Sequence, residues 1–286
     1  MPMLPMPSKT AIKKPTALIP APLFIMALIS SVLLLLVGGG LFFVPEFARP
    51  RWVWSLTPFN TRFLGAVYLT ALIGLSFLLV TRRALSARLI VPLMWVFTTV
   101  VLVVSFLHVG QFDPARRATA IWFGVYGADC LGSSYYLGRY GKHMFAASEH
   151  VPGLWKRYLW LQAIFLGVYG LGLLLLPARF GLFWPWPLDA FHCQIYSAMF
   201  LTGATGAALL ARHATALEFW AFGLIQATLS GFVVAGVVIV DRAVRKIDWE
   251  SFGNWAWMGA FVLLGLAGLA MVWESLQINK LKDHNV

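Results

Sequence analysis

The chain has 286 residues, 60% of them apolar and only 12% charged, with a mean hydropathy of +0.77. Soluble domains carry about 25% charged residues, so this composition cannot make a polar exterior, and it excludes soluble, disordered, collagenous and disulfide-stapled classes. The net charge of +11 calls for no nucleic acid, because basic inner loops of a membrane protein meet anionic lipid headgroups.

Apolar runs of about 20 residues, the length that crosses roughly 30 Å of hydrocarbon, recur from one end of the chain to the other. They predict eight membrane helices, at 21–43, 62–80, 88–109, 118–138, 158–177, 192–211, 217–240 and 253–273. The runs are continuously apolar and lack the two-residue alternation of barrel strands. The predicted fold class is an all-α integral membrane protein of eight transmembrane helices.

Of the 22 basic residues, thirteen fall on one side of this topology and nine on the other. The richer side holds Lys9, Lys13 and Lys14 ahead of the first span, then Arg82, Arg83 and Arg88. The positive-inside rule places it in the cytoplasm. Both termini are then cytoplasmic in a multi-pass protein of the inner or plasma membrane.

A shift of 132 residues superposes Pro45 on Pro177, Trp52 on Trp184, Trp54 on Trp186, Leu56 on Leu188 and Phe59 on Phe191. It also superposes Ala66 on Ala198, Leu69 on Leu201, Thr70 on Thr202 and Gly74 on Gly206. Nine identities in a gapless window of thirty exceed the roughly two or three that such restricted composition gives by chance. A shift of 135 then aligns Trp122 with Trp257 and Gly124 with Gly259. Four spans per unit is an even number, so the units are parallel repeats. The first span has a counterpart in the fifth, so it is expected to be retained rather than cleaved as a signal. The expected organisation is a cytoplasmic tail (1–20), a first four-helix repeat (21–138), a cytoplasmic linker (139–157), a second repeat (158–274) and a cytoplasmic tail (275–286).

The loops after the first and fifth spans carry Trp52 with Trp54 and Trp184 with Trp186. Tryptophan concentrates at the headgroup level, so these four are expected as interfacial anchors. The segment 241–250 mixes three cations with three anions and reads as a solvated turn.

Asp129 is the residue that chemistry singles out. A carboxylate near the middle of a membrane helix costs about 2.5–3.5 kcal/mol on insertion scales. Helical spacing puts Tyr126, Asp129, Ser133, Tyr136 and Tyr140 on one face, and lipid cannot satisfy such a stripe. Two readings follow: a proton or cation site in a solute path, or a hydrogen-bonded carboxyl that locks two helices together. Thr98 and Ser105 share a face of the third span and are path candidates, with bonds to their own backbone as the plainer reading. His108 and His192 end and begin spans at similar depth, so they are the candidate axial ligands of a haem iron. Apart from that pair the sequence calls for no cofactor.

No Walker loop, H-E-x-x-H or C-x-x-C occurs, and these are the signatures of nucleotide, zinc-protease and redox chemistry. Whether the chain is an enzyme stays open and leans to no: one intramembrane carboxylate without a base, nucleophile or metal cluster is thin equipment for acting on a lipid or quinone. Its expected function is small-solute or proton-coupled transport along a path at the repeat interface; the alternative is a non-catalytic accessory or scaffolding subunit. Expected partners are the bilayer, anionic headgroups at the cytoplasmic loops, and another membrane protein or a second copy of the chain.

Overall fold

The computed structural model describes residues 18–144 and 153–283, with the tail lysines Lys9, Lys13 and Lys14 outside them. Among the described residues the only strand-like feature is one bridge between Leu18 and Arg83. Eight long helices form the bundle among these residues: α1 (Ala21–Phe43), α3 (Pro58–Thr81), α4 (Ala84–Leu107), α5 (Arg117–Met144), α6 (Gly153–Leu175), α8 (Ala190–Arg212), α9 (Ala216–Val244) and α10 (Phe252–Asp283). Two one-turn helices, α2 (Pro45–Ala48) and α7 (Pro177–Phe180), follow α1 and α6.

Seven of the long helices are long and apolar enough to cross a membrane, and α5 is the exception. The chain is thus a helical multi-pass membrane protein. At 28 residues α5 has the length, but it carries Asp129, four tyrosines, Arg139 and Lys142, which dilute its hydropathy.

Local chemistry sets where helices begin. The Thr57 side chain accepts from Asn60 N–H to cap α3, and Asp189 does the same for α8 through His192 N–H. Thr215 and Glu218 form a reciprocal capping box at α9. Caps occupy N–H groups that have no partner inside the helix. That is why α3 starts at Pro58, ahead of its apolar run. Likewise α5 continues to Met144 and α6 begins at Gly153, so much of the expected 139–157 linker is helical.

α1 packs along α3, α6 along α8, α4 along α5, and α9 along α10. These pairs are joined by α3 against α9 and by α4 against α8. Gly65 lets α3 approach α1 closely: a Cβ there would lie 2.7 Å from Phe42 N. Apolar side chains such as Leu28, Val32 and Leu35 on α1, and Leu263 and Leu266 on α10, are exposed on the outside of the bundle.

Three polar expectations resolve differently. The Trp-x-Trp loops turn inward: Trp54, Trp184 and Trp186 are 5%, 5% and 3% exposed, and Trp52 packs against the same core. Trp54 stands edge-on to Trp122 at 4.9 Å, while Trp184 lies 5.3 Å from Trp257. A headgroup anchor needs one wet edge, and edge-to-face burial of large aromatic surface removes it here. Asp241 is buried rather than solvated, accepting from Lys246 N–H, Ile247 N–H and Trp249 Nε1 at 2.9, 2.9 and 2.7 Å. Arg88, read as an inner-loop charge, lies within α4 and is buried against Glu218 of α9, with Nε donating to Oε1 at 2.7 Å.

Candidate functional site

A cavity of about 570 Å³ lies in the middle of the bundle, with walls from every long helix. Sites for small molecules usually measure 300–1,000 Å³ and are mostly apolar with a few placed polar groups, and this one has that character. Leu34, Val67, Leu93, Phe97, Met199 and Ile225 supply apolar wall.

Asp129 faces the cavity from α5 and is 8% exposed. The Ser30 hydroxyl on α1 lies 3.0 and 2.8 Å from its two oxygens. One hydroxyl donates one proton, so at any moment one carboxyl oxygen keeps its full accepting capacity. Among the described residues no cation pairs with this carboxyl. One turn away, Tyr126 also lines the cavity, and its hydroxyl meets that of Tyr68 on α3 at 3.1 Å.

The sequence candidates divide. Asp129, Tyr126 and Thr98 reach the cavity, although Thr98 donates to Met94 O at 2.8 Å. Ser133, Ser105 and Tyr136 do not line it. Ser133 donates to Asp129 O, and Ser105 donates to Val101 O while accepting from Trp122 Nε1. Tyr136 is buried in the other half of the core, and the side chain of Tyr140 lies outside the described residues.

The two candidate haem ligands each use one ring nitrogen in a hydrogen bond. His108 Nε2 is hydrogen-bonded to Gln194 Oε1, and His192 Nδ1 to Asp189 Oδ1. Phe191 packs against both imidazoles, and neither ring lines the cavity. His192 Nε2 has no hydrogen-bond partner among the described residues, but the two rings do not meet at the cavity. Outside the spans, the His192 hydrogen bond holds the Asp189 carboxyl below the usual carboxylate range.

Four cavity residues were missed in the sequence. Gln162 on α6 and Gln226 on α9 are 7% and 4% exposed. Neither amide atom of either has a hydrogen-bond partner among the described residues. The hydroxyls of Thr70 on α3 and Thr202 on α8 are equally unpartnered, and all four residues line the cavity. The available signal was an amide near the centre of an apolar span, a group hydrocarbon cannot satisfy. The arrangement can bind a small molecule by donating and accepting hydrogen bonds and by offering one carboxylate oxygen. Comparisons with known proteins find no matching family model, no similar curated protein and no similar solved structure.

Proposed function

We propose that the protein is a small-solute or proton-coupled transporter of the cell membrane, working through the central cavity. One observation carries this reading: Gln162, Gln226, Thr70 and Thr202 line the space that Asp129 faces, and their side-chain polar atoms have no hydrogen-bond partner among the described residues. Each such buried group costs about 1–3 kcal/mol. A purely structural bundle gains nothing from keeping them, whereas a binding chamber needs them for its occupant.

In this proposal all eight long helices span, as two parallel four-helix repeats about an axis along the membrane normal, with both termini in the cytoplasm and anionic headgroups at the inner loops. Several paired details support the repeat. Val44 and Leu176, 132 positions apart, end α1 and α6 with φ −129°, ψ 54° and φ −131°, ψ 54°. Trp122 meets Tyr126 at 4.4 Å, and Trp257 meets Phe261 at 4.5 Å. A Cβ on Gly38 would lie 3.1 Å from Leu69 N, and one on Gly170 would lie 3.1 Å from Leu201 N. The α3–α9 and α4–α8 contacts exchange under the same relation. The cavity then sits on the axis between the units, where duplicated transporters place their sites.

The accessory-subunit reading draws support from the Ser30–Asp129 bond, which joins α1 to α5 as a structural lock would. Proteoliposomes loaded with a pH-sensitive dye separate the two. Wild-type protein is expected to dissipate an imposed proton gradient at least tenfold faster than Asp129→Asn, with both proteins melting within a few degrees of each other. Equal rates would sink the transporter reading. Native mass spectrometry showing a fixed-ratio complex with another polypeptide would then favour the subunit.

A further inference from the structure

The cavity opens on one side, and its rim is built from residues that face outward. α1 and α5 meet where Gly132 lies against the end of the Met26 side chain, and where Ser30 bonds Asp129. Further along, Leu36 on α1, Phe47 on α2 and Ile121 on α5 line the cavity while being 66%, 59% and 58% exposed outside the bundle. A side chain that does both borders an opening. All three are apolar. The residues aligned with them by the repeat, Val168, Arg179 and Ala256, do not line the cavity, so the opening has no twin in the second unit. The charge at this rim is Arg51, whose guanidinium is held over the Phe47 ring at 4.0 Å and donates to Phe47 O.

An apolar rim flanked by two lipid-length helices admits molecules dissolved in the bilayer, and it repels hydrophilic ones that would have to shed their water against it. Of the two charged residues that line the cavity, Arg51 is engaged at Phe47, while Asp129 offers a carboxylate that Ser30 only half satisfies and that no described cation pairs with. Buried charges are kept where they are paired, so the complementary occupant brings a positive charge. Its remaining polar atoms would find both donors and acceptors on Gln162 and Gln226.

We infer that the solute is a lipid-soluble amine that passes sideways from the bilayer between α1 and α5 and seats its ammonium group on Asp129. This inference rests on the transporter reading of the cavity. Phosphates and carboxylates are the wrong sign for Asp129, and a neutral alcohol leaves its charge uncompensated.

The test uses the full chain in lipid nanodiscs with tritiated 1-adamantanamine, its neutral isostere 1-adamantanol, and methylammonium as a cation without an apolar body. Saturable adamantanamine binding is expected, at least tenfold tighter than either control. Asp129→Asn should weaken it at least tenfold, and Asp129→Glu should restore part of it. Gln226→Leu breaks no side-chain hydrogen bond among the described residues, and it should weaken binding about fivefold even if Asp129→Asn does not fold. Leu36→Trp, at the rim, should slow association severalfold while leaving the equilibrium affinity within about twofold.

Adamantanol binding as tightly as the amine, indifferent to Asp129→Asn, would overturn the amine assignment. Unchanged association in Leu36→Trp would overturn the sideways route. No saturable binding by any of the three would overturn the inference as a whole. The dye-loaded proteoliposome assay reads the transporter proposal separately: proton flux retained without amine binding removes the amine and leaves the transporter.

Discussion

Two buried polar regions of this bundle treat their hydrogen bonds in opposite ways. At the start of α4 and α9, Arg88 forks onto Glu218, and the Glu218 carboxylate also accepts from Thr215 N–H and Thr215 Oγ1 at 2.9 Å each. Around the central cavity the amides of Gln162 and Gln226 and the hydroxyls of Thr70 and Thr202 have no hydrogen-bond partner among the described residues. Both sets of side chains lie mostly within helices and are largely buried, so burial alone does not separate them. The difference is one of completion. The first region is finished by the chain itself and locks α4 to α9; the second is unfinished, and a molecule from outside would finish it.

The largest effect that can break this comparison is at the ion pair. Arg88→Leu leaves Glu218 buried without its cation and should lower unfolding stability by about 3–5 kcal/mol, read by denaturant or thermal unfolding in mild detergent. The double change Arg88→Met with Glu218→Gln keeps a capping side chain and removes both charges, so it should return to within about 1–2 kcal/mol of wild type. A single change that costs nothing would deny the pair its role as a lock.

The opposite sign is expected at the cavity. Gln162→Leu and Gln226→Leu each remove unpartnered amide atoms and should raise stability by about 1–2 kcal/mol, measured by the same unfolding. A loss of stability in both would mean the amides are completed within the protein and that the comparison is false. Asp129→Asn tests function more than folding, since an amide can still bond Ser30; its stability should change by about 1 kcal/mol or less while proton flux is lost.

The smallest effect lies at the Asp189 cap. Its carboxyl is held below the ordinary value of 3.8 by the His192 bond, so the native state favours the ionised form. The stabilisation is therefore present above about pH 4 and fades as the pH falls through the native value. The side chain is 59% exposed, which keeps the contribution small. Asp189→Asn should flatten this acid limb of the stability profile without moving the neutral one.

Hydropathy marks where hydrocarbon would sit, and hydrogen bonding marks where a helix ends. The span read at 21–43 coincides with α1, but α5 runs beyond 138 to Met144 and α10 beyond 273 to Asp283, because polar side chains continue a helix past the apolar run. Asp129 was legible because a carboxylate interrupts an apolar face. Gln162 and Gln226 were not, since an uncharged amide barely dents the hydropathy of its span. Arg88 and Glu218 sit near helix starts beside charged connections, so in sequence they resemble loop charges. Their pairing joins positions 130 apart in the chain, which spacing cannot reveal. The inward turn of the tryptophan loops was hidden for the same reason, as their partners Trp122 and Trp257 come from distant helices.

Those tryptophans give the molecule an optical signature of its own. Trp52 and Trp54 stand 5.2 Å apart at 78°, and Trp184 and Trp186 stand 5.4 Å apart at 88°. Indoles held this close and edge-to-face share their electronic excitations, so the native bundle should carry a tryptophan circular dichroism couplet in the far ultraviolet that vanishes on unfolding. Trp52 and Trp122 also border the cavity. The spectrum would therefore respond when the chamber fills, and this protein could report its own occupancy without a label.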